Sequence, residues 1–515
     1  MPLPARAVPS GGRLRCPDSL PDSRPWLTMD PSLAPIFAGL EPAPVWRHFA
    51  TLCAVPRRSK AEGPLRDQLQ AWAAARGLAT RIDAAGNLVV RKPASPGREG
   101  RPGVILQAHL DMVCQKNSDS GHDFSRHPIR PRCRDGWLVA EATTLGADNG
   151  IGVALMLAVL EDDRLEHGPL EALFTVDEED GMGGARGLAP DLLSGRSMLN
   201  LDTEEWGEFY LGCAGGLDVN VARPGRPAAP PPGGEGYRID LAGLRGGHSG
   251  GDIHRGRGNA IKLLVRVLAG LPAEFALRLG ELRGGTARNA LPRECCARVV
   301  VAPGQGAALA AALAAWQTLL RRELAGVDDG LRLSSSAEAV AAVMDAGEQA
   351  LWLASLLAAP HGVRRMSQTL AGVVETSNNL GMVELQPDGG RCNFMVRSLR
   401  DSGSDALADE IGALFSLSGT RAEFSGRYPG WAPDAASPLL ARCQAVYRRE
   451  FGEESRVQVI HAGLECGLIG AKYPGLDIVS FGPTIRGAHA PGEAVEIASV
   501  GRCWRLLTAI LAALP

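Results

Sequence analysis

No run of apolar residues in this 515-residue chain approaches the ~18–20 needed to span a membrane. The Ala/Leu-rich stretch 307–316 ends at Gln317, and Arg502 and Arg505 interrupt the apolar pattern near the C-terminus. An excess of either charge is also lacking. With 54 Lys and Arg against 57 Asp and Glu, the formal charge is −3, which argues against nucleic acid or an anionic membrane as partner. The eleven cysteines are odd in number, scattered and without CxxC spacing. They read as reduced, mostly buried thiols of a cytoplasmic protein, not as a disulfide framework. The N-terminal segment is rich in Pro, Arg, Ser and Gly and lacks the apolar centre of a secretory signal. Residues 1–28 are expected to be disordered, with Met29 as an alternative start.

What the chain does have is 45% hydrophobic residues, enough for sizeable cores, and a length beyond one ordinary domain. The most informative part is 104–202. Residues 104–108 read as a buried strand, with His109 and Asp111 following it. A second such run, 170–176, stops at Asp177, Glu178, Glu179 and Asp180, and a third, 197–201, stops at Asp202. Between the first two, Gly146-Ala147-Asp148-Asn149-Gly150 turns into an apolar helical run, 151–160. In an open α/β sheet, ligands gather beyond the carboxyl ends of the strands. Carboxylates gathered there repel one another, and burying an unpaired charge is costly. The set His109, Asp111, Asp148, Glu178, Glu179 and Asp202 therefore calls for cations. Imidazole with several carboxylates suits Zn²⁺, Mn²⁺ or Co²⁺ better than Ca²⁺. Two ions would divide the set naturally, one carboxylate bridging them. Any one of these motifs is an ordinary loop or cap feature; four in order are harder to dismiss.

The order HLD, GADNGIG, EE, NLD resembles the co-catalytic zinc peptidase superfamily of aminopeptidases, carboxypeptidases and aminoacylases. The longer strings QAHLDMVCQKN, TTLGADNGIGVA, LGCAGG, LRGGHSGGDIHRGRGNA, VVETSNNLG and IHAGLECGL are similar to its aminoacyl-histidine (Xaa-His) dipeptidase branch, from about Pro44 onward. The resemblance implies hydrolysis of unblocked dipeptides, Xaa-His and β-alanyl-histidine included, with two divalent ions, zinc first and cobalt or manganese as alternatives. One ion would take His109 and Asp202 and the other Glu179 and His489, with Asp148 bridging. Asp111 would orient the His109 ring. Adjacent Glu178 and Glu179 diverge if their backbone is extended, and the resemblance makes Glu178 the general base acting on water. Arg397 in FMVRSLRD would bind the substrate carboxylate, with Asn289 in TARNALP supporting that carboxylate or the scissile carbonyl. Glu465 in HAGLECG would hold the α-ammonium or serve structurally. His248, on a glycine-flanked loop, would donate to the oxyanion from a lid. In many relatives this histidine comes from a partner subunit, which implies a homodimer, although a double lid could supply it within one chain. A tripeptide aminopeptidase or N-acyl amino acid amidohydrolase would use the same ions. A silent peptide-binding protein would have no use for Glu178.

The expected fold class is α/β: a catalytic domain split between 29–214 and 428–515, with a mixed central sheet flanked by helices. A lid of α+β type is inserted at 215–427. Helices are expected at 45–55 and 60–76, and a hairpin turns at Ala85-Gly86-Asn87. The Pro/Gly-rich stretch 222–236 reads as a surface insertion. Beyond it, strands at 237–241, 274–283, 294–301 and 331–335 alternate with helices at 259–268 and 306–324. The pattern recurs with helices at 347–357 and 404–417 around strands at 368–375, 381–385 and 392–398. Two stacked βαββ-type units follow from this repeat. Tyr428-Pro429-Gly430-Trp431 marks the return, followed by a helix at 438–451, strands ending at His461 and Phe481, and a closing helix at 495–514.

Overall fold

The computed structural model describes residues 31–515; the disorder expected of 1–28 lies outside them. Strands Val104–His109, Leu170–Thr175 and Ser197–Asn200 are almost wholly buried apolar runs, the pattern of strands covered on both faces. They pair in parallel, with Val104–His109 in the middle. Around them forms an eight-stranded mixed sheet in the order 79–82, 88–92, 170–175, 104–109, 197–200, 477–480, 208–213, 456–460. Side chains alternate across it. Leu106, Ala172 and Leu199 face the helices Ala147–Glu161, Ala43–Ala54 and Ile497–Ala513, while Ile105, Leu173 and Met198 face Cys466 and Ile469. The helix Ala147–Glu161 is buried nearly all round, which is why its sequence shows no polar face. Each fully buried Leu or Ile there contributes ~1.5–3 kcal/mol relative to exposure. Because the three central strands run the same way, whatever follows them emerges at one edge.

The second sheet has nine strands and contains two copies of one βαββαβ unit. In the first unit the strands are Glu235–Ala242, Arg278–Gly284, Cys295–Val301 and Arg332–Ala337, with helices Ala260–Ala269 and Gly306–Glu323. In the second they are Gly215–Pro224, Val374–Gln386, Gly389–Ser398 and Ala422–Tyr428, with helices Ala346–Ala358 and Asp401–Leu417. Numbered within each unit, the spatial order is 4-1-3-2 followed by 2-3-1-4, all antiparallel. The two second strands pair edge to edge, Leu282 opposite Leu385 and Gly284 opposite Val383. Lys262 adds a staple between the helices, its Nζ donating to the carbonyls of Leu356, Leu357 and Ala359 at 2.7, 2.8 and 2.6 Å.

The units are thus joined side by side in one sheet; they are not stacked, as the repeat suggested. Three local expectations also change. The strand expected at 368–375 is a turn, in which Ser367 N–H donates to Val373 O, set between strands Gly362–Met366 and Val374–Gln386. The strand expected at 381–385 is the second half of that 13-residue strand, whose register shifts at Gly381. A side chain at Gly381 would come within 2.8 Å of the Arg288 carbonyl, so the missing Cβ permits a close crossing. The strand expected from 274 starts at Arg278, because Ala273–Phe275 is a 3₁₀ turn that buries Phe275. The chain passes between the two sheets at 213–215 and 428–431, where Cys213 and Trp431 exchange both backbone hydrogen bonds. No helix among the described residues is long and apolar enough to cross a membrane, and all ten cysteines there are free.

Candidate metal centre and active site

His109 ends the middle strand, and Asp202 follows the strand beside it. His109 Nε2 lies 3.1 Å from Asp148 Oδ1 and 3.3 Å from Asp202 Oδ1. The other oxygen of Asp148 lies 3.2 Å from His489 Nε2, which is 3.1 Å from Glu179 Oε2. One carboxylate therefore stands between two sets, His109–Asp148–Asp202 and Asp148–Glu179–His489; in each of these, and in a third set, His109–Glu178–Glu179, the ligand atoms lie within 4.8 Å of one another. This donor chemistry fits two hard-to-borderline cations sharing Asp148.

The acidic cluster raises the proton affinity of the groups within it. Burial works to lower the His109 pKa, but Asp202, Asp111 and Asp148 together hold it well above its ordinary value. His489, bonded to Asp148 and Glu179, is raised to about 11. Burial raises Glu178 well above the carboxylate range, and Asp202, Glu179 and Glu465 add to it against the pull of His109. A site that holds protons so firmly is one that positive charge stabilises.

Several residues fix this geometry. Asp111 is fully buried; its oxygens accept from the Glu178 and Glu179 amides at 3.0 and 3.1 Å and from Ser59 Oγ at 2.7 Å. His109 Nδ1 lies 3.1 Å from the Asp111 carbonyl and 3.4 Å from its carboxylate. The backbone at Glu178 and Glu179 is a turn, with Met182 N–H donating to Glu178 O, and not the extended segment assumed from sequence. The loop bearing Asp148 is gripped from both sides. Glu493 accepts from the amides of Leu145, Gly146 and Ala147 at 2.6, 2.9 and 2.8 Å and from that of Asp148 at 3.3 Å. Buried Arg57 donates to the carbonyls of Leu110, Asp111 and Gly146. Glu493, Arg57 and Ser59 carry no sequence signal, because their partners lie 52 to 348 positions away.

The second group of side chains comes from the lid. Arg397 is 4% exposed, yet no carboxylate lies within 4.0 Å of it among the described residues. It donates to the neutral Tyr428 Oη at 2.8 Å and Ser249 Oγ at 3.3 Å, and its Nη2 lies 3.4 Å from His248 Nε2. His248 Nδ1 accepts from the amides of Gly250 and Gly251, so in the neutral ring Nε2 carries the proton. Burial and then Arg397 lower His248 to about 4. Two donors, His248 Nε2–H and Arg397, thus face the same space, an arrangement suited to an anionic oxygen. The histidine loop presses on the catalytic domain; a Cβ at Gly250 would sit 1.8 Å from the His461 carbonyl. His461 bonds Ser377 Oγ at 2.7 Å across that boundary. Asn379, on the second unit, donates to the carbonyls of Arg288 and Ala290, and the Asn289 carbonyl accepts from Ser249 N–H. The Asn289 side chain itself is exposed, without a partner.

Between the groups runs 460–465. Ile460, Gly463 and Leu464 line a cleft of about 370 Å³ together with His109, Asp148, Glu178, Glu179, Asp202, Glu204, Glu205, Arg486 and His489. Glu465 does not open onto it. Glu465 has no exposed surface and accepts from Thr175 Oγ1 at 2.6 Å and Gln107 Nε2 at 2.7 Å. Both bonds go to Oε2, and Oε1 is buried without a hydrogen-bond partner among the described residues; of the two roles expected from sequence, this burial favours the structural one over holding a substrate ammonium.

Residues 105–513 match the model of the peptidase family M20/M25/M40. Over 478 residues the chain is 46% identical to the cytosol non-specific dipeptidase of Escherichia coli (strain K12), spanning 92% of this chain and 98% of that one. It superposes on the crystal structure of aminoacylhistidine dipeptidase from Vibrio alginolyticus with a TM-score of 0.85 at 44% identity, covering 93% and 98% of the two chains. The aminopeptidase PepT of Bacillus cereus, 16% identical, shares the fold with a TM-score of 0.54 over 92% of this chain and 99% of that one.

Proposed function

The chain belongs to peptidase family M20/M25/M40, and from that premise we propose a cytoplasmic metallodipeptidase acting on unblocked dipeptides, Xaa-His and β-alanyl-histidine included. It is a peptide hydrolase of dipeptidase type. The observation that carries the substrate class is Arg397, a buried guanidinium with no carboxylate within 4.0 Å among the described residues. A C-terminal carboxylate one residue from the scissile bond supplies that partner through the bidentate geometry a guanidinium favours.

Two divalent ions, with zinc proposed over cobalt or manganese, would be held by His109 with Asp202 and by Glu179 with His489, Asp148 shared. When bound, they supply Lewis-acid activation of water and of the peptide carbonyl. Glu178 accepts a proton from the attacking water and returns it to the departing amine, so that the amine leaves neutral. Asp111 fixes the ring of His109 and, through two amides, the turn that aims Glu178. His248 Nε2–H donates to the carbonyl oxygen as negative charge develops there. Asn289, on the turn bonded to Ser249, supports the same carboxylate or the carbonyl. The homodimer expected from sequence was the means of delivering His248. With His248 3.4 Å from Arg397 in one chain, a site complete within a single subunit is the arrangement this geometry supports. Equal specific activity across a dilution series, with the mass followed by light scattering, tests that point.

The test of the activity is to strip the protein with chelator, restore each ion separately, and measure amino-acid release from a panel of substrates. Free dipeptides should be hydrolysed, with tripeptides and N-acetylated dipeptides far slower. Comparable rates on tripeptides would point to an aminopeptidase, and comparable rates on the acetylated panel to an amidohydrolase.

A further inference from the structure

We propose that Glu204 anchors the free α-ammonium of the substrate, acting as a positioning and specificity residue; this rests on the dipeptidase reading above. The charged groups lining the cleft can be assigned one by one. His109, Asp148, Glu179, Asp202 and His489 point their ligand atoms at one another in the two metal sets. Glu178 is assigned to the proton. Glu205 is neutralised by Arg486, with Nη1–Oε2 at 2.8 Å and Nη2–Oε1 at 3.2 Å. Glu204 remains. Glu204 is an exposed residue that lines the cleft, and its carboxylate has no hydrogen-bond or ion-pair partner among the described residues. The alternative anchor, Glu465, has no exposed surface and does not line the cleft; its Oε2 is taken by Gln107 and Thr175.

The backbone around Glu204 is rigid in a way that a passive surface residue does not need. Its carbonyl accepts from Ile485 N–H at 3.0 Å, and Trp206 N–H donates to Thr484 Oγ1. At the preceding residue, the Thr203 carbonyl lies against Gly482 so closely that a Cβ there would sit 1.9 Å away. The side chain is therefore held two residues beyond the ligand Asp202, on the wall of the cleft shared with Asp148 and His489. The electrostatics also require such a group. An ammonium brought beside two dications is repelled at several ångströms' range, and a carboxylate aimed at the same point offsets that repulsion. Arg397 then holds one end of the dipeptide and Glu204 the other, and chain length is read as the distance between two charges.

The test uses metal-loaded Glu178→Gln protein, in which turnover is blocked, titrated calorimetrically with alanyl-histidine and with propionyl-histidine, which differs only in lacking the ammonium. The free amine should bind about 10–100-fold more tightly, the worth of a charge-assisted pair. Adding Glu204→Gln should abolish that preference, with affinity for propionyl-histidine and metal content unchanged, and Glu204→Asp should restore part of it. A preference that survives Glu204→Gln overturns the anchor while leaving the dipeptidase intact. Equal loss of both ligands overturns it too, as a structural effect. If the unsubstituted protein neither binds nor cleaves dipeptides with metal restored, the dipeptidase reading fails, and the anchor with it.

Discussion

Replacing Arg397 with Met should separate carboxylate recognition from catalysis. Arg397 is 4% exposed, and among the described residues its guanidinium lies against the neutral groups of Tyr428, Ser249 and His248. Truncating one partner of a buried charge pair costs ~2–5 kcal/mol. At ~1.4 kcal/mol per tenfold, kcat/KM should fall on the order of 30- to 3000-fold. Most of the fall should appear in KM, because the carboxylate carries the same charge in the ground state and the transition state. The folding cost should be partly offset: two charge-assisted hydrogen bonds to neutral partners are lost, at about 1.5–3 kcal/mol each, while a charge buried without a counter-ion is removed. The assay compares a dipeptide with its C-terminal amide. The unsubstituted enzyme should strongly prefer the free acid, and the Met variant should treat the two nearly alike. Arg397→Lys keeps the charge but not the fork, so it should fall between. A Met variant that prefers the free acid as strongly as the parent would refute the assignment.

Three further outcomes follow from the same geometry. Glu178→Gln should retain both ions by elemental analysis yet lose ~10²–10⁴-fold in turnover, since an amide cannot accept the proton of water; loss of one ion would make Glu178 a ligand. His248→Ala should lower kcat by ~10²–10³ with a smaller change in substrate affinity, and a variant that binds weakly but turns over normally would reduce His248 to a substrate contact. His361, lowered to about 4 by burial and then by Lys262, is neutral in the folded protein where the unfolded chain, near 6.5, takes up a proton. The unfolded state binds more protons between those values, so stability should fall as pH drops through that window, by about 2 kcal/mol between pH 7 and pH 5. Urea unfolding of His361→Asn should show that much less pH dependence than the parent, and equal slopes would exclude the histidine as the source.

The candidate ligands His109, Asp148, Glu179 and Asp202 were legible because their signals are local, whereas His489 was placed only by the family resemblance. A buried strand, a terminal His or Asp and a glycine-marked turn occupy a few consecutive residues each, and three parallel strands bring their ends to one edge without further information. What holds the ligands was not legible. Glu493 reaches back about 350 positions to cap four amides, and Glu465 is closed in by Thr175 and Gln107. A carboxylate beside a glycine reads the same whether it will face a ligand or a threonine hydroxyl. The difference is burial, which the strand packing decides.

The two units of the lid were legible, but their stacking and the first strand of the second unit were not, for a reason of threading. Its second unit begins with Gly215–Pro224, but the next element of that unit, the helix Ala346–Ala358, comes only after the whole first unit has been inserted. A repeat sought from residue 347 onward therefore lacks its first strand, and the two halves look like loosely related stacks. Once the missing strand is restored, the halves have the same order of strands and meet through equivalent edges. Antiparallel pairing of equivalent edges is the geometry of a twofold contact between identical partners, here built into one chain. It places His248 of one unit against Arg397 of the other, as a second subunit would. Asn379 reinforces this from the far side by holding the turn on which Asn289 sits. Of the two routes the sequence left open for His248, a partner copy or a double lid within one chain, the proposed site takes the second, through an edge of three paired residues and the Lys262 staple.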